Sequence, residues 1–128
     1  MKEVMAVIRM EMINKTKDAL LKEGFSSLNC RKVLGRGKKK VDFTVIENLI
    51  TGGIENSSPK VAEALSEGHR LIPKRVLSLI VKDEEVEKVV KTLIDINSKG
   101  KQGDGKIFIM PVSDAIRVRT GETGLDAI

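Results

Sequence analysis

The stretch Val76-Leu77-Ser78-Leu79-Ile80-Val81-Lys82-Asp83-Glu84-Glu85-Val86-Glu87-Lys88-Val89-Val90-Lys91-Thr92-Leu93-Ile94-Asp95-Ile96 decides the fold. It opens on an apolar run rich in branched side chains, which predicts a buried strand over residues 74–81. The period then changes. Val86, Val89, Val90, Leu93 and Ile94 fall at i, i+3, i+4, i+7 and i+8, one face of a helix over residues 83–96. Asp83, Glu84 and Glu85 sit where the helix dipole favours negative charge, so they read as helix-start charges and not as an acid/base pair. Ser98-Lys99-Gly100-Lys101-Gln102-Gly103-Asp104-Gly105 breaks the helix, and Ile107, Phe108, Ile109 and Met110 predict a strand over residues 106–111.

The same β-α-β order precedes it. Residues 4–9 read as a strand and residues 14–24 as a helix. Asn14 is placed to cap that helix and Gly24 to take the left-handed turn at its end. Residues 27–34 read as a second strand. The whole is an α+β, ferredoxin-like βαββαβ sandwich: one domain over residues 1–128, with an antiparallel sheet and both helices on one face. The other sheet face is apolar and costly in water, and oligomerisation covers it most simply. A last piece, Ile116-Arg117-Val118-Arg119, alternates apolar and basic residues and reads as extended. Between strands 2 and 3 lies an insert of about residues 35–73. Connections longer than roughly 15 residues are usually functional or mobile. This one starts Gly35-Arg36-Gly37-Lys38-Lys39-Lys40, contains Gly52-Gly53, and has Ser58-Pro59 where a short helix can begin.

The chain has 128 residues and a formal charge of +5, which favours an anionic partner without naming it. It holds three Phe and no Trp or Tyr, so a platform that stacks nucleic-acid bases on aromatic rings is poorly supported. A single cysteine excludes an internal disulfide framework and a multi-thiolate zinc site, and no metal cluster is legible. The charged N-terminus lacks a secretory core, and no apolar run approaches the roughly 20 residues of a membrane helix. The cytoplasm is the expected location.

Three segments suit anion chemistry. In Gly100-Lys101-Gln102-Gly103-Asp104-Gly105-Lys106-Ile107, close glycines let backbone N–H groups approach phosphate oxygens and lysines neutralise charge. The spacing nearly fits a P-loop but has Ile107 in place of the Ser or Thr, and the context is helix–loop–strand instead of strand–loop–helix. The same residues also fit a glycine-rich turn with solvated lysines. In an extended chain, Arg117 and Arg119 point to one side as a pair of guanidinium forks while Val118 faces apolar surface; a charged edge strand that resists aggregation fits equally. The basic run from Arg31 to Lys40 suits phosphates or a small dicarboxylate, or is a solvated loop stem. His69 reads as a solvent-facing loop residue and Cys30 as a small apolar side chain packed in a strand. Ser57 and Ser58 have no legible basic partner, and no nucleophile–base pair supports an enzyme.

Together, Gly103-Asp104-Gly105-Lys106-Ile107-Phe108 and Ile116-Arg117-Val118-Arg119-Thr120-Gly121-Glu122 closely resemble the C-terminal signature of PII nitrogen-regulatory proteins. Met1-Lys2 through Arg9, Gly35-Arg36-Gly37 and Ile72-Pro73-Lys74, which matches the close of the family's long T-loop, add to the resemblance. It covers nearly the whole chain except the middle of the insert. It implies a trimer of ferredoxin-like subunits with ATP or ADP in the clefts between them. By position, Gly35, Gly37, Lys38, Ile80, Gly103, Asp104, Gly105, Lys106, Arg117 and Arg119 correspond to the nucleotide site, and Lys74 to the lysine that pairs with 2-oxoglutarate. The implied protein is a regulator and not an enzyme.

Two departures refine this. Lys39 stands where most members carry a Gln that holds a bridging magnesium. A protonated lysine is no metal ligand, which leaves the magnesium bridge open and lets Lys39 pair directly with a carboxylate or phosphate. The chain also has no Tyr, which excludes uridylylation of a loop tyrosine, and its T-loop is longer than in general ammonium-signalling members. Both traits resemble the second subunit type of the nitrogenase-associated branch. The implied partners are dinitrogenase and a sister PII-like subunit, in a homo- or hetero-oligomer built on trimers, with no nucleic acid and no membrane insertion. A PII regulator of an ammonium channel or a biosynthetic enzyme keeps the resemblance and changes the partner. A basic ferredoxin-like nucleic-acid binder fits the charge but not the lack of aromatics.

Overall fold

A computed structural model describes residues 1–37 and 71–128. The chain divides into two compact units, one of Met1–Val33 with Pro73–Ile128 and one of Leu34–Ile72. The expected helix start at Ser58-Pro59, together with Lys38, Lys39, Ser57 and His69, lies outside the described residues.

Four strands form one sheet: β1 (Lys2–Arg9), β2 (Asn29–Gly35), β3 (Ile72–Val81) and β4 (Lys106–Pro111), in the order β2-β3-β1-β4. β1 runs antiparallel to both of its neighbours, with Ala6 opposite Leu77 on one side and Ile107 on the other. Among the described residues, two α-helices, α1 (Ile13–Lys22) and α2 (Val86–Asn97), connect the strands. This is the ferredoxin-like α+β arrangement.

The pleat explains the layering. Alternate residues of a strand share a face. Val4, Ala6 and Ile8 on β1 and Leu77, Leu79 and Val81 on β3 are buried together with Leu20 of α1 and Val89 and Leu93 of α2. Each fully buried leucine contributes about 1.5–3 kcal/mol. The helices meet through a buried polar bridge: the Asn97 amide donates to Thr16 Oγ1 at 3.1 Å, and Thr16 donates to the Met12 carbonyl at 2.7 Å. Both groups are thereby satisfied, as buried polar atoms must be. The opposite sheet face keeps apolar groups in the open: Phe108 is 45% and Ile80 37% exposed.

Several local expectations change. A 3₁₀ turn at Met10–Met12 leads straight from β1 into α1, so the helix starts at Ile13 with Met12 at its N-cap position. Asn14 lies inside the helix and caps nothing, because the chain winds up before reaching it. Gly24, at φ 95°, does end α1, and the Phe25 N–H closes back on the Leu20 carbonyl at 2.9 Å. The acidic start of the second helix is itself a 3₁₀ turn, Asp83–Glu85, in which the Glu85 carboxylate accepts the Lys82 N–H at 2.9 Å. Cys30 is exposed and not packed, because it lies on edge strand β2, whose first four residues are all exposed. The piece at residues 116–119 is not a strand; its only ladder contact among the described residues is a bridge between Ile116 and Thr123.

Candidate functional site

The segment joining α2 to β4, residues 98–105, is built on three glycines with positive φ: Gly100 at 71°, Gly103 at 96° and Gly105 at 120°. The last is required twice. Its φ is open only to glycine, and a Cβ there would collide with the Val7 carbonyl of β1. The loop therefore lies flush against the end of the sheet.

Asp104 organises it. Oδ1 accepts Arg9 Nη1 at 2.7 Å, and Oδ2 accepts the N–H groups of Lys99 at 2.8 Å and Lys101 at 3.3 Å. The Arg9 bond, then the Lys99 N–H, hold the Asp104 carboxyl at a pKa of about 2, below the usual 3.8. Arg9 also reaches the Gln102 carbonyl at 3.4 Å. Across the sheet, Lys74 is the Cα partner of Arg9, and its Nζ donates to the Gly103 carbonyl at 3.3 Å. Lys106 follows on β4, opposite Val7. Arg9, Lys74 and Lys106 thus lie at one end of the sheet, Arg9 paired with Asp104, Lys74 on the Gly103 carbonyl and Lys106 opposite Val7. The N–H groups of Gly103 and Gly105 take no part in the loop's network among the described residues. Basic side chains beside such backbone donors suit a phosphate or carboxylate. An apolar groove of about 420 Å³ between α2 and β4, lined by Val90, Ile94, Ile107 and Ile109, ends at this loop.

Of the residues expected from sequence, Gly103, Asp104, Gly105, Lys106 and Lys74 come together here. Ile80 does not. It lies six residues along β3 from Lys74, about 20 Å at strand rise, opposite Glu3 at the far end of the sheet. Gly35 ends β2, and Gly37 follows it; an added Cβ at either meets nothing within 4 Å. Arg117 and Arg119 lie beyond the other end of β4, in a turn closed by the Gly121 N–H on the Arg117 carbonyl at 2.7 Å. Residues 118–120 form a turn in place of the expected extended piece, and a turn does not alternate its side chains as a strand does. Arg117 pairs instead with Glu122 at 2.6 Å, and Val118 faces solvent at 101% exposure and not an apolar surface. Arg9 was not among the expected site residues. It lies 95 residues from its partner Asp104, and the β1–β4 register brings the two together.

Comparison with known proteins fits this picture. The sequence matches the family "Nitrogen regulatory protein P-II" over residues 1–122. The chain belongs to the PII family. This PII chain is 44% identical over 128 residues to "Nitrogen fixation nifHD region GlnB-like protein 2" of Methanobacterium ivanovii, covering 100% of this chain and 99% of that protein. It is 34% identical over 125 residues to "Nitrogen fixation nifHD1 region GlnB-like protein 1" of Methanosarcina barkeri, covering 98% and 100%. Among solved structures it is similar to Arabidopsis thaliana PII bound to citrate, with a TM-score of 0.70 and 31% identity over 98% of this chain and 87% of that one.

Proposed function

We propose that this PII chain senses adenine nucleotide and 2-oxoglutarate and, with a sister subunit, inhibits nitrogenase through the insert between β2 and β3. The observation that carries the reading is the full-length similarity to a nif-region protein of type 2, at 44% identity, against 34% for a type 1 relative. A type 1 partner is the natural sister subunit.

The site chemistry supports the effector classes. The backbone around Gly103 and Gly105 wraps the nucleotide phosphates and Lys106 neutralises them. Gly35, Gly37 and Lys38 complete the nucleotide cleft on one side, with Ile80, Arg117 and Arg119 reaching it across a seam between copies. Assembly as a trimer also covers the exposed Phe108 and Ile80. Lys74 and Lys39 pair with the carboxylates of 2-oxoglutarate. The citrate in the Arabidopsis protein is a polycarboxylate on a related fold. Lys39 takes the place of a magnesium-holding glutamine and pairs directly with 2-oxoglutarate; titration of 2-oxoglutarate with ATP, with and without magnesium, tests this, and strict magnesium dependence counts against it. Anionic effectors gather the basic loop stem and draw the insert from its target. Moving that balance from 1:99 to 99:1 needs about 5.5 kcal/mol of differential binding, which two co-bound ligands repeated over several clefts supply.

The test is reconstitution in a cytoplasm-like buffer. Nitrogenase activity is measured with the purified chain and its type 1 partner. Inhibition that ATP plus 2-oxoglutarate relieves supports the reading. Undiminished activity, or capture of an ammonium channel or biosynthetic enzyme and not dinitrogenase from nitrogen-fixing cells, overturns the partner assignment.

A further inference from the structure

The loop of residues 98–105 carries three permissive residues, and something must keep it in one shape before a ligand arrives. Gly100, Gly103 and Gly105 each widen the choice of conformations open to the unliganded loop. A ligand that must first order a loose loop binds more weakly, because that ordering opposes association.

The contacts supply the restraint. Arg9 closes a fork on the loop, with one nitrogen on Asp104 Oδ1 and the other on the Gln102 carbonyl. Its side chain is only 11% exposed and that of Asp104 23%, so this pair is shielded where most surface pairs are not. Asp104 transmits the hold by accepting two nearby backbone donors, the N–H groups of Lys99 and Lys101. Both carboxylate oxygens are thereby occupied. The carboxyl is held ionised far into acid, which keeps the fork closed at any physiological pH.

We propose that Arg9 and Asp104 are positioning residues that preset the loop of residues 99–105 for anion capture, and that Asp104 serves the loop and is not a ligand of the nucleotide. This rests on the nucleotide-binding reading above. Its consequence is specific: the bound anion meets Gly103 N–H, Gly105 N–H, Lys74 and Lys106, while the acidic residue in the middle of the motif faces away from it onto β1. The contribution of Asp104 to affinity therefore passes through Arg9.

A double-mutant cycle with two readouts separates the possibilities. ATP affinity is measured by calorimetry for the full-length wild type, Arg9→Met, Asp104→Asn and the double variant, with Arg9→Lys as the conservative control. The amide that Asp104→Asn introduces can still accept the two backbone N–H groups through its carbonyl. Each single change weakens ATP binding about tenfold, as for loss of a hydrogen bond to a charged group. The double variant is no weaker than the worse single, and Arg9→Lys recovers most of the affinity. If Asp104→Asn costs another tenfold in the Arg9→Met background, Asp104 holds the nucleotide itself and the proposal falls. The second readout needs no ligand: exchange of the Lys99 and Lys101 amide protons in the unliganded protein. They exchange about tenfold faster in Arg9→Met; unchanged exchange overturns the preset loop. Should Arg9→Met fail to fold, Arg9→Gln takes its place in both readouts. A wild type that binds no ATP defeats the nucleotide reading alone, and amide exchange still judges the restraint.

Discussion

Two glycine-bearing loops, each organised by an aspartate, behave differently. In the loop of residues 98–105, Asp104 bonds backbone within the loop and is locked to β1 by Arg9, while Lys74 and the Val7 contact fix the flanking glycines to the sheet. In the loop of residues 114–124, Asp114 Oδ1 accepts the N–H groups of Ala115 at 2.8 Å and Gly124 at 3.0 Å, and Arg117 pairs with Glu122. That second loop closes on itself, and Ile116 and Val118 stay exposed. The first loop takes its shape from the fold. The second carries its shape with it and presents a surface for something else to cover.

Glycine substitutions should break the symmetry most strongly. Gly105→Ala puts a methyl into the Val7 carbonyl at a φ of 120° and should cost more than about 3 kcal/mol. Gly121→Ala, at φ 73° with nothing within 4 Å, should cost about 1 kcal/mol. Urea unfolding of the two variants measures the gap; equal losses would mean that the first loop is not seated on the sheet.

Acid sharpens the contrast next. The folded pKa of Asp104 is depressed, so its stabilisation is complete above the unfolded value near 3.8 and is lost as pH falls from there through about 2. Asp104→Asn should remove that part of the stability slope between pH 4 and 2, leaving a shallower acid limb than the wild type. Thermal melts across this window decide it, and an unaltered slope would show that the Arg9–Asp104 pair does not hold the loop.

The smallest effect belongs to the second loop. The Arg117–Glu122 pair is exposed, at 36% and 44%, and such pairs are worth about 0–1 kcal/mol and fade with salt. Glu122→Gln should shift the melting midpoint by no more than about 4 °C, with the difference gone at 1 M salt. A larger, salt-resistant loss would mean that this loop too is anchored to the fold.

The same contrast governs what could be read from the sequence. Periodicity is a local signal, so β4 falls on the expected residues 106–111, and of the expected α2 face Val86, Val89, Val90 and Leu93 pack on the core while Ile94, at its edge, stays exposed. The charged, glycine-rich character of residues 100–106 was equally legible. Asn14 misled because capping propensity is weak beside a chain already turning at Met10–Met12. Arg117 and Arg119 misled because alternation implies a strand only where a neighbour pairs with it. Cys30 misled because residue type does not reveal which strand lies at a sheet edge. Arg9 was invisible as a site residue because its role depends on a register spanning 95 residues, which no single-sequence pattern records.

The most direct test is calorimetric titration of ATP into the purified full-length chain, followed by 2-oxoglutarate into the ATP-saturated protein. Binding heat in both steps, with the second abolished by Lys74→Ala, is the expected result. No heat and no thermal protection with excess ATP would contradict an anion-capturing loop at the end of this sheet.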